Sequence, residues 1–319
     1  MNISTEERTA NLKLMNKIVS EIKKVVIGKD EIVIKILLAI ISKGHVLIED
    51  IPGVGKTTMA LAFSKALSLE QNRMQFTPDV LPADVTGFSV YNKATGNFEY
   101  RQGVAFCNLF LADEINRTSS KTQSALLEIM EERRVTVDGV TRELPKPFIV
   151  IATQNPVGSV GTQMLPESQL DRFMLRLTMG YPDIKSEIDI IKSRQNIHPL
   201  ELVNSVADAD DIINLQQVCE NIFIDDKVYM YIAKLIEATR NHPLIRLGVS
   251  PRGTIALTSA TKATAMLKGR DYVIPDDVSY IFKDVVNHRI LLNSKAKINS
   301  VTTEQVTDEI LKSVSSPKI

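Results

Sequence analysis

Gly53-Val54-Gly55-Lys56-Thr57-Thr58 combines residue types that could hold a phosphate chain. Glycines let backbone N–H groups turn inward around phosphate oxygens, and a following helix N-terminus favours an anion. Lys56 could reach the β- and γ-phosphates, and the Thr57 hydroxyl could ligate Mg²⁺. The general pattern G-x-x-x-x-G-K-[ST] wants glycine where this chain has Asp50, and Pro52-Gly53 supplies turn chemistry instead. A second signal is Leu109-Phe110-Leu111-Ala112-Asp113-Glu114, an apolar run ending in two carboxylates. Asp113 could hold Mg²⁺ directly or through water, and Glu114 could orient an attacking water or take its proton. Asn155, past the apolar run Phe148 to Ala152, could bond both a γ-phosphate and that water. Arg172 and Arg252 are permanent cations suited to phosphate, although taken alone each reads equally well as a surface ion pair.

These groups need a scaffold that brings them to one edge. His45–Glu49, Leu109–Ala112 and Phe148–Ala152 are continuous apolar runs, which predicts strands buried on both faces, hence a parallel sheet covered by helices. In such sheets the carboxyl ends of the strands face the ligand. Thr57 to Ser68 has helical spacing at Met59, Ala60, Phe63, Ala66 and Leu67. Asp138-Gly139, between Val135–Val137 and Val140-Thr141, predicts a tight hairpin. Alternation at Phe88, Val90, Phe98 and Tyr100 around Asn92–Asn97 predicts a looser one. From Tyr181-Pro182 onward the period is almost wholly helical, with Ser250-Pro251 and Pro275-Asp276 as helix starts. The chain is therefore divided at 1–181, an α/β core with two hairpin insertions, and 182–319, a helical domain.

The 319 residues carry 38 Lys+Arg against 38 Asp+Glu, a net charge of zero. That balance argues against a nucleic-acid coat or an acidic disordered tail. Two cysteines, Cys107 and Cys219, make neither a metal set nor a disulfide framework, which fits a reducing cytoplasm. The longest apolar run, Ile32 to Ile41 with Lys35 inside it, is far short of the ~20 residues of a membrane span. The four histidines are scattered and read as packing or surface residues.

Taken together, the chain resembles the MoxR family of AAA+ ATPases. The matching stretches are VVIGKDE (25–31), HVLIEDIPGVGKTT (45–58), LFLADEINR (109–117), ERRVTVDGVTREL (132–144), ATQNP (152–156), LPESQLDRF (165–173), GVSPRG (248–253) and GRDYVIPDDV (269–278). They span roughly residues 25–290, and the family's own loop accommodates Asp50. The resemblance implies an αβα AAA+ P-loop core with a smaller all-helical lid, ATP and Mg²⁺ as cofactors, and a ring, usually hexameric. It makes Lys56 and Thr57 the Walker A pair, with Pro52, Gly53, Val54, Gly55 and Thr58 around the phosphates. Asp113 and Glu114 become Walker B and Asn155 becomes sensor 1. Arg172 becomes an arginine finger reaching the neighbouring subunit's ATP, and Arg252 a sensor 2 on the lid, with ATP between core and lid. Val26, Ile27 and Gly28 are implied near the adenine. The family resembles chaperones that mature or activate partner complexes, many acting with proteins that carry a von Willebrand factor A domain. The hairpins are the expected places where motion meets a client.

Two other classes share parts of this pattern. A nucleic-acid motor or metal-chelatase subunit has the same type of core, and Arg133, Arg134 and Arg142 lie on the second hairpin, but no longer basic run exists. A GTPase switch or small-molecule kinase lacks support: Asn92-Lys93 is followed by Ala94-Thr95 rather than a guanine-reading aspartate, and such a protein needs neither both arginines nor the lid. A non-hydrolysing scaffold would not need Lys56, Asp113 and Glu114 together.

Overall fold

The apolar runs assemble as expected, in a computed structural model that describes residues 4–50, 53–155, 164–193 and 199–318. Helix α1 (Thr5–Lys23) opens at Ser4, whose hydroxyl accepts from the Glu7 N–H. It buries Met15, Ile18 and Ile22, at helical spacing. Helix α2 (Asp30–Ile41) is buried almost throughout its second half, because further helices cover it. Strand β1 (Val46–Glu49) leads to α3 (Lys56–Ala66), β2 (Gln71–Gln75) and the short α4 (Pro82–Thr86). Next come β3 (Gly87–Asn92) and β4 (Asn97–Gln102), then β5 (Leu109–Asp113) and α5 (Ser120–Glu132). Strands β6 (Arg134–Val137) and β7 (Val140–Glu143) precede β8 (Ile149–Gln154), α6 (Glu167–Leu170) and β9 (Leu175–Leu177).

The sheet runs β2-β5-β8-β1-β9, all parallel. Strands β5 and β8 are buried along their whole length, as continuous apolar runs demand. Alternate residues feed two cores. Val46, Ile48, Leu109, Leu111, Ile149 and Ile151 face α1, α2 and α3. Leu47, Phe110, Ala112, Val150 and Ala152 face α5. Both hairpins form: β3 pairs with β4, closing at Asn92 and Asn97, and β6 pairs with β7 around Asp138-Gly139, both with positive φ.

The C-terminal half contains α7 (Ile184–Ser193), α8 (Ala209–Glu220), α9 (Asp226–Asn241) and, after strand β10 (Ile245–Leu247), α10 (Pro251–Leu267). Helix α11 (Pro275–Val286), strand β11 (Leu291–Leu292), α12 (Ser294–Ile298) and α13 (Thr303–Ser313) complete it. Two short strands, β10 and β11, pair antiparallel, so this half is helical but not wholly so. Its buried residues, such as Leu215, Leu235, Leu257 and Ile281, are continuous with those of α1 and α2. Cys107 and Cys219 are free and buried, and burial pushes both thiols up to about 12, as packing residues. Among the described residues no helix is long and apolar enough to cross a membrane.

Candidate functional site

Parallel register brings the carboxyl ends of β1, β5 and β8 together, with Glu49 opposite Gln154 and Ala112 opposite Ala152. The loop after β1 turns at Gly53 and Gly55, whose φ values of +86° and +93° suit glycine. Neither glycine has an atom within reach of an added Cβ, so backbone conformation rather than crowding asks for them. Lys56 begins α3 and is 8% exposed, its Nζ donating to the Asp50 carbonyl at 2.8 Å. Burial lowers the Lys56 pKa, while Asp113, Asp50 and Glu114 pull it up again. The Asp50 carboxylate accepts from the Gly180 N–H, so the residue replacing the pattern's first glycine ties the loop to the segment after β9. Thr57 and Thr58 follow in the first turn of α3, both half-buried. Pro52 lies outside the described residues.

Asp113 ends β5 and is buried. Its Oδ1 accepts from the Thr153 hydroxyl at 2.6 Å, and its Oδ2 from Arg73 Nη2 at 2.8 Å. The Glu114 N–H donates to the same Thr153 hydroxyl at 2.9 Å, so one side chain on β8 sets both acids. Glu114 sits at φ +56°, a left-handed conformation uncommon for glutamate and the kind of local strain found at working sites. Its carboxylate pairs with Arg117 at 2.7 Å. Asn155 follows β8 directly, and its carbonyl accepts from Asn116 Nδ2 at 3.1 Å. Thr153 and Arg73 were not singled out in the sequence. Arg73 lies on a strand whose polar pattern hides it, and Thr153 is a lone hydroxyl at a strand end.

A cleft of about 380 Å³ opens beside the loop, with Val26 and Ile27 on one wall, Gly53 to Gly55 on another, and Ile190 and Ile191 of α7 opposite. Gly28 turns at φ +71° and packs on α7, where an added Cβ would meet Ser186 Oγ at 2.2 Å. It serves the wall rather than lining the cleft.

The two arginines are elsewhere. Arg172 Nη1 donates to the Leu127 carbonyl at 2.7 Å and pairs with Glu131 Oε2 at 3.1 Å. Arg252 Nη2 pairs with the other oxygen, Glu131 Oε1. Both line a second cleft, of about 250 Å³, with Gly44 and His45 at the amino end of β1. The phosphate loop leaves the carboxyl end of that strand, ~13 Å away at ~3.3 Å per residue. Arg252, at the start of α10, thus lies at the end of β1 away from the phosphate loop of the same chain. The start of α10 is held down at this end: Ser250 Oγ, its N-cap, donates to Asp171 Oδ2 at 2.8 Å, and the buried Arg289 donates to Asp171 Oδ1 at 2.8 Å. The roles of Glu131 and Asp171 were missed as well: Asp171 stands in the stretch 165–173 only as the neighbour of Arg172, Glu131 stands in no matching stretch, and their partners lie far along the chain.

The fold and the grouping of loop, acids and amide define an AAA+ ATPase. Residues 45–175 match the model of the ATPase family associated with various cellular activities (AAA), and residues 237–310 that of the AAA lid domain. The chain is 50% identical over 304 residues to the uncharacterized protein YeaC of Bacillus subtilis, covering 95% of each. It is 35% identical to the chaperone MoxR1 of Mycobacterium tuberculosis over 98% of this chain and 85% of that one. A crystal structure of a candidate ATPase from Cytophaga hutchinsonii superposes with a TM-score of 0.91 at 37% identity, covering 98% of both chains. The chain belongs to the MoxR family of AAA+ ATPases.

Proposed function

We propose that this chain hydrolyses ATP in a ring whose active sites are shared between neighbours, and that the resulting motion matures or activates a partner protein complex. The observation that carries the reading is the separation just described. Each subunit presents a phosphate-holding set at one end of β1 and a pair of arginines at the other. Repeated head-to-tail contact would join the two ends, and such a heterologous contact closes into a ring when its rotation permits. A hexamer is the size the family resemblance favours.

In this account, Lys56 and the N–H groups of the loop and α3 hold the β- and γ-phosphates, and Val26 and Ile27 border the adenine. The donors fit Mg²⁺: one carboxylate, Asp113, and one hydroxyl, Thr57, are the hard oxygen ligands this ion takes beside phosphate and water. Among the described residues no group of three or more His, Cys, Asp or Glu could form a cage of its own. When bound, the ion would neutralise charge on the phosphates. Glu114, held by Thr153 through its N–H, orients water and takes its proton, and Asn155 fixes the γ-phosphate. Arg172 and Arg252 of the neighbour stabilise charge as it develops; in other NTPases one such arginine contributes ~10³–10⁵ in rate.

A chaperone-like role is supported by the relative named chaperone MoxR1. The partner class is a protein with a von Willebrand factor A domain, by family resemblance, and the site of action is the cytoplasm. Glu114→Gln tests the chemistry. ATP should remain bound through gel filtration while turnover falls ~10²–10⁴-fold, the usual worth of a positioned base. Undiminished turnover would remove Glu114 from its role.

A further inference from the structure

Arg172 and Arg252 are like charges brought side by side, and the structure shows what permits it. Their tips meet on one carboxylate, Glu131, each taking a different oxygen. Arg172 also bonds the Leu127 carbonyl one turn earlier on α5, so both guanidiniums dock on the last turn of a single helix. Their roots are joined too. Asp171, preceding Arg172, accepts on one oxygen from Ser250 and on the other from Arg289. Ser250 in turn caps α10, accepting from the Gly253 N–H at 3.1 Å, and α10 carries Arg252 in its first turn. Arg289 is buried and also donates to the carbonyls of Asp171 and Phe173, at 3.1 and 2.6 Å. Charge makes the tip contact matter. Lys43, Arg133 and Arg289 line the same cleft, and Glu131 and Asp171 are the carboxylates among its described lining. With Asp171 committed to Arg289 and Ser250, Glu131 is what offsets repulsion at the tips.

We propose that Glu131 is a positioning residue, which aligns Arg172 and Arg252 as one unit toward the triphosphate of a neighbouring subunit. The inference rests on the shared-site reading above. Glu131 uses one oxygen for each arginine, and a guanidinium has five N–H donors, so donors remain for phosphate. Side-chain exposures of 31% for Arg172 and 43% for Arg252 leave them accessible. Glu132, next in sequence, turns to Arg134 instead and serves as a contrast.

A mixing experiment separates this proposal from the reading it rests on. One subunit carries Lys56→Ala and supplies arginines only. The other carries Arg172→Ala and Arg252→Ala and supplies the ATP site only. Each alone should be inert, and the mixture should turn over ATP with Mg²⁺. Glu131→Gln, which keeps shape and removes charge, is then added to the arginine supplier. The mixed rate should fall about 10- to 100-fold, the scale of a misplaced group, while KM for ATP moves far less. The loss should be confined to that placement. An undiminished rate, or an equal loss when Glu131→Gln sits on the subunit without arginines, would overturn the proposal. A mixture with no activity at all would overturn the shared site itself, and the proposal with it.

Discussion

At the scale of single residues, the phosphate-side groups are held by partners whose role no pattern in the chain states. Thr153 is the clearest. Its hydroxyl accepts from Glu114 and donates to Asp113, so the two acids share one reference point on the adjacent strand. A consensus pattern reads the acids because chemistry limits their type; it does not read the hydroxyl, because only parallel pairing of β5 and β8 brings it near. His45 shows the same dependence on context. It is buried, accepting from the Val150 N–H on Nδ1 at 2.9 Å, which leaves Nε2 to donate to the Met130 carbonyl at 2.9 Å. Burial, the dominant cause, lowers its pKa to about 4. A folded-state pKa below the unfolded value near 6.5 means that the unfolded chain binds the proton more readily. Stability is therefore full above pH 6.5 and falls as pH drops toward 4, by ~3 kcal/mol for this residue. Denaturant unfolding between pH 7 and 4 should show that loss, and His45→Gln should flatten it. An unchanged slope in the variant would assign the pH dependence to other groups.

At the scale of elements, continuous apolar strands, helix starts and the Asp138-Gly139 turn were readable because their signals are local. Ser250-Pro251 announces α10, and α10 begins there. Strand β2, Gln71–Gln75, was not readable. It is an edge strand with polar residues and needs β5 to form its ladder. Strand β9 has three residues, too few for a period. Helix α1 was not read as an element because its apolar residues, Met15, Ile18 and Ile22 with Leu12, Leu14 and Val19 beside them, are interleaved with charged and polar ones. The direction in which α10 presents Arg252 is harder still. It depends on Asp171, tied to Ser250 and to Arg289 across more than 70 residues of sequence. Asp171→Asn should leave the nearly inaccessible Arg289 guanidinium without its anion, at a cost of about 3 kcal/mol. The unfolding midpoint in denaturant should fall accordingly, with ATPase activity lost alongside. A variant of full stability would mean that the backbone carbonyls around Arg289 suffice.

At the scale of the whole molecule, the two clefts lie at opposite ends of β1. The sequence names the loop at one and the arginines at the other, but nothing in a linear pattern says which belong to one subunit's site and which to the next. Domain packing decides that, through the core that joins the C-terminal helices to α1 and α2. On the shared-site account, hydrolysis removes a phosphate that two subunits hold together, so the angle between them can change. Each subunit's own loop and its arginines then report to different neighbours. The most direct test is ATP turnover per subunit, with Mg²⁺, across a wide range of protein concentration, beside Arg172→Ala. The account expects a rate that climbs with concentration to a plateau and is lost in the variant. A rate independent of concentration and indifferent to Arg172 would contradict it, because the site would then be complete within one chain.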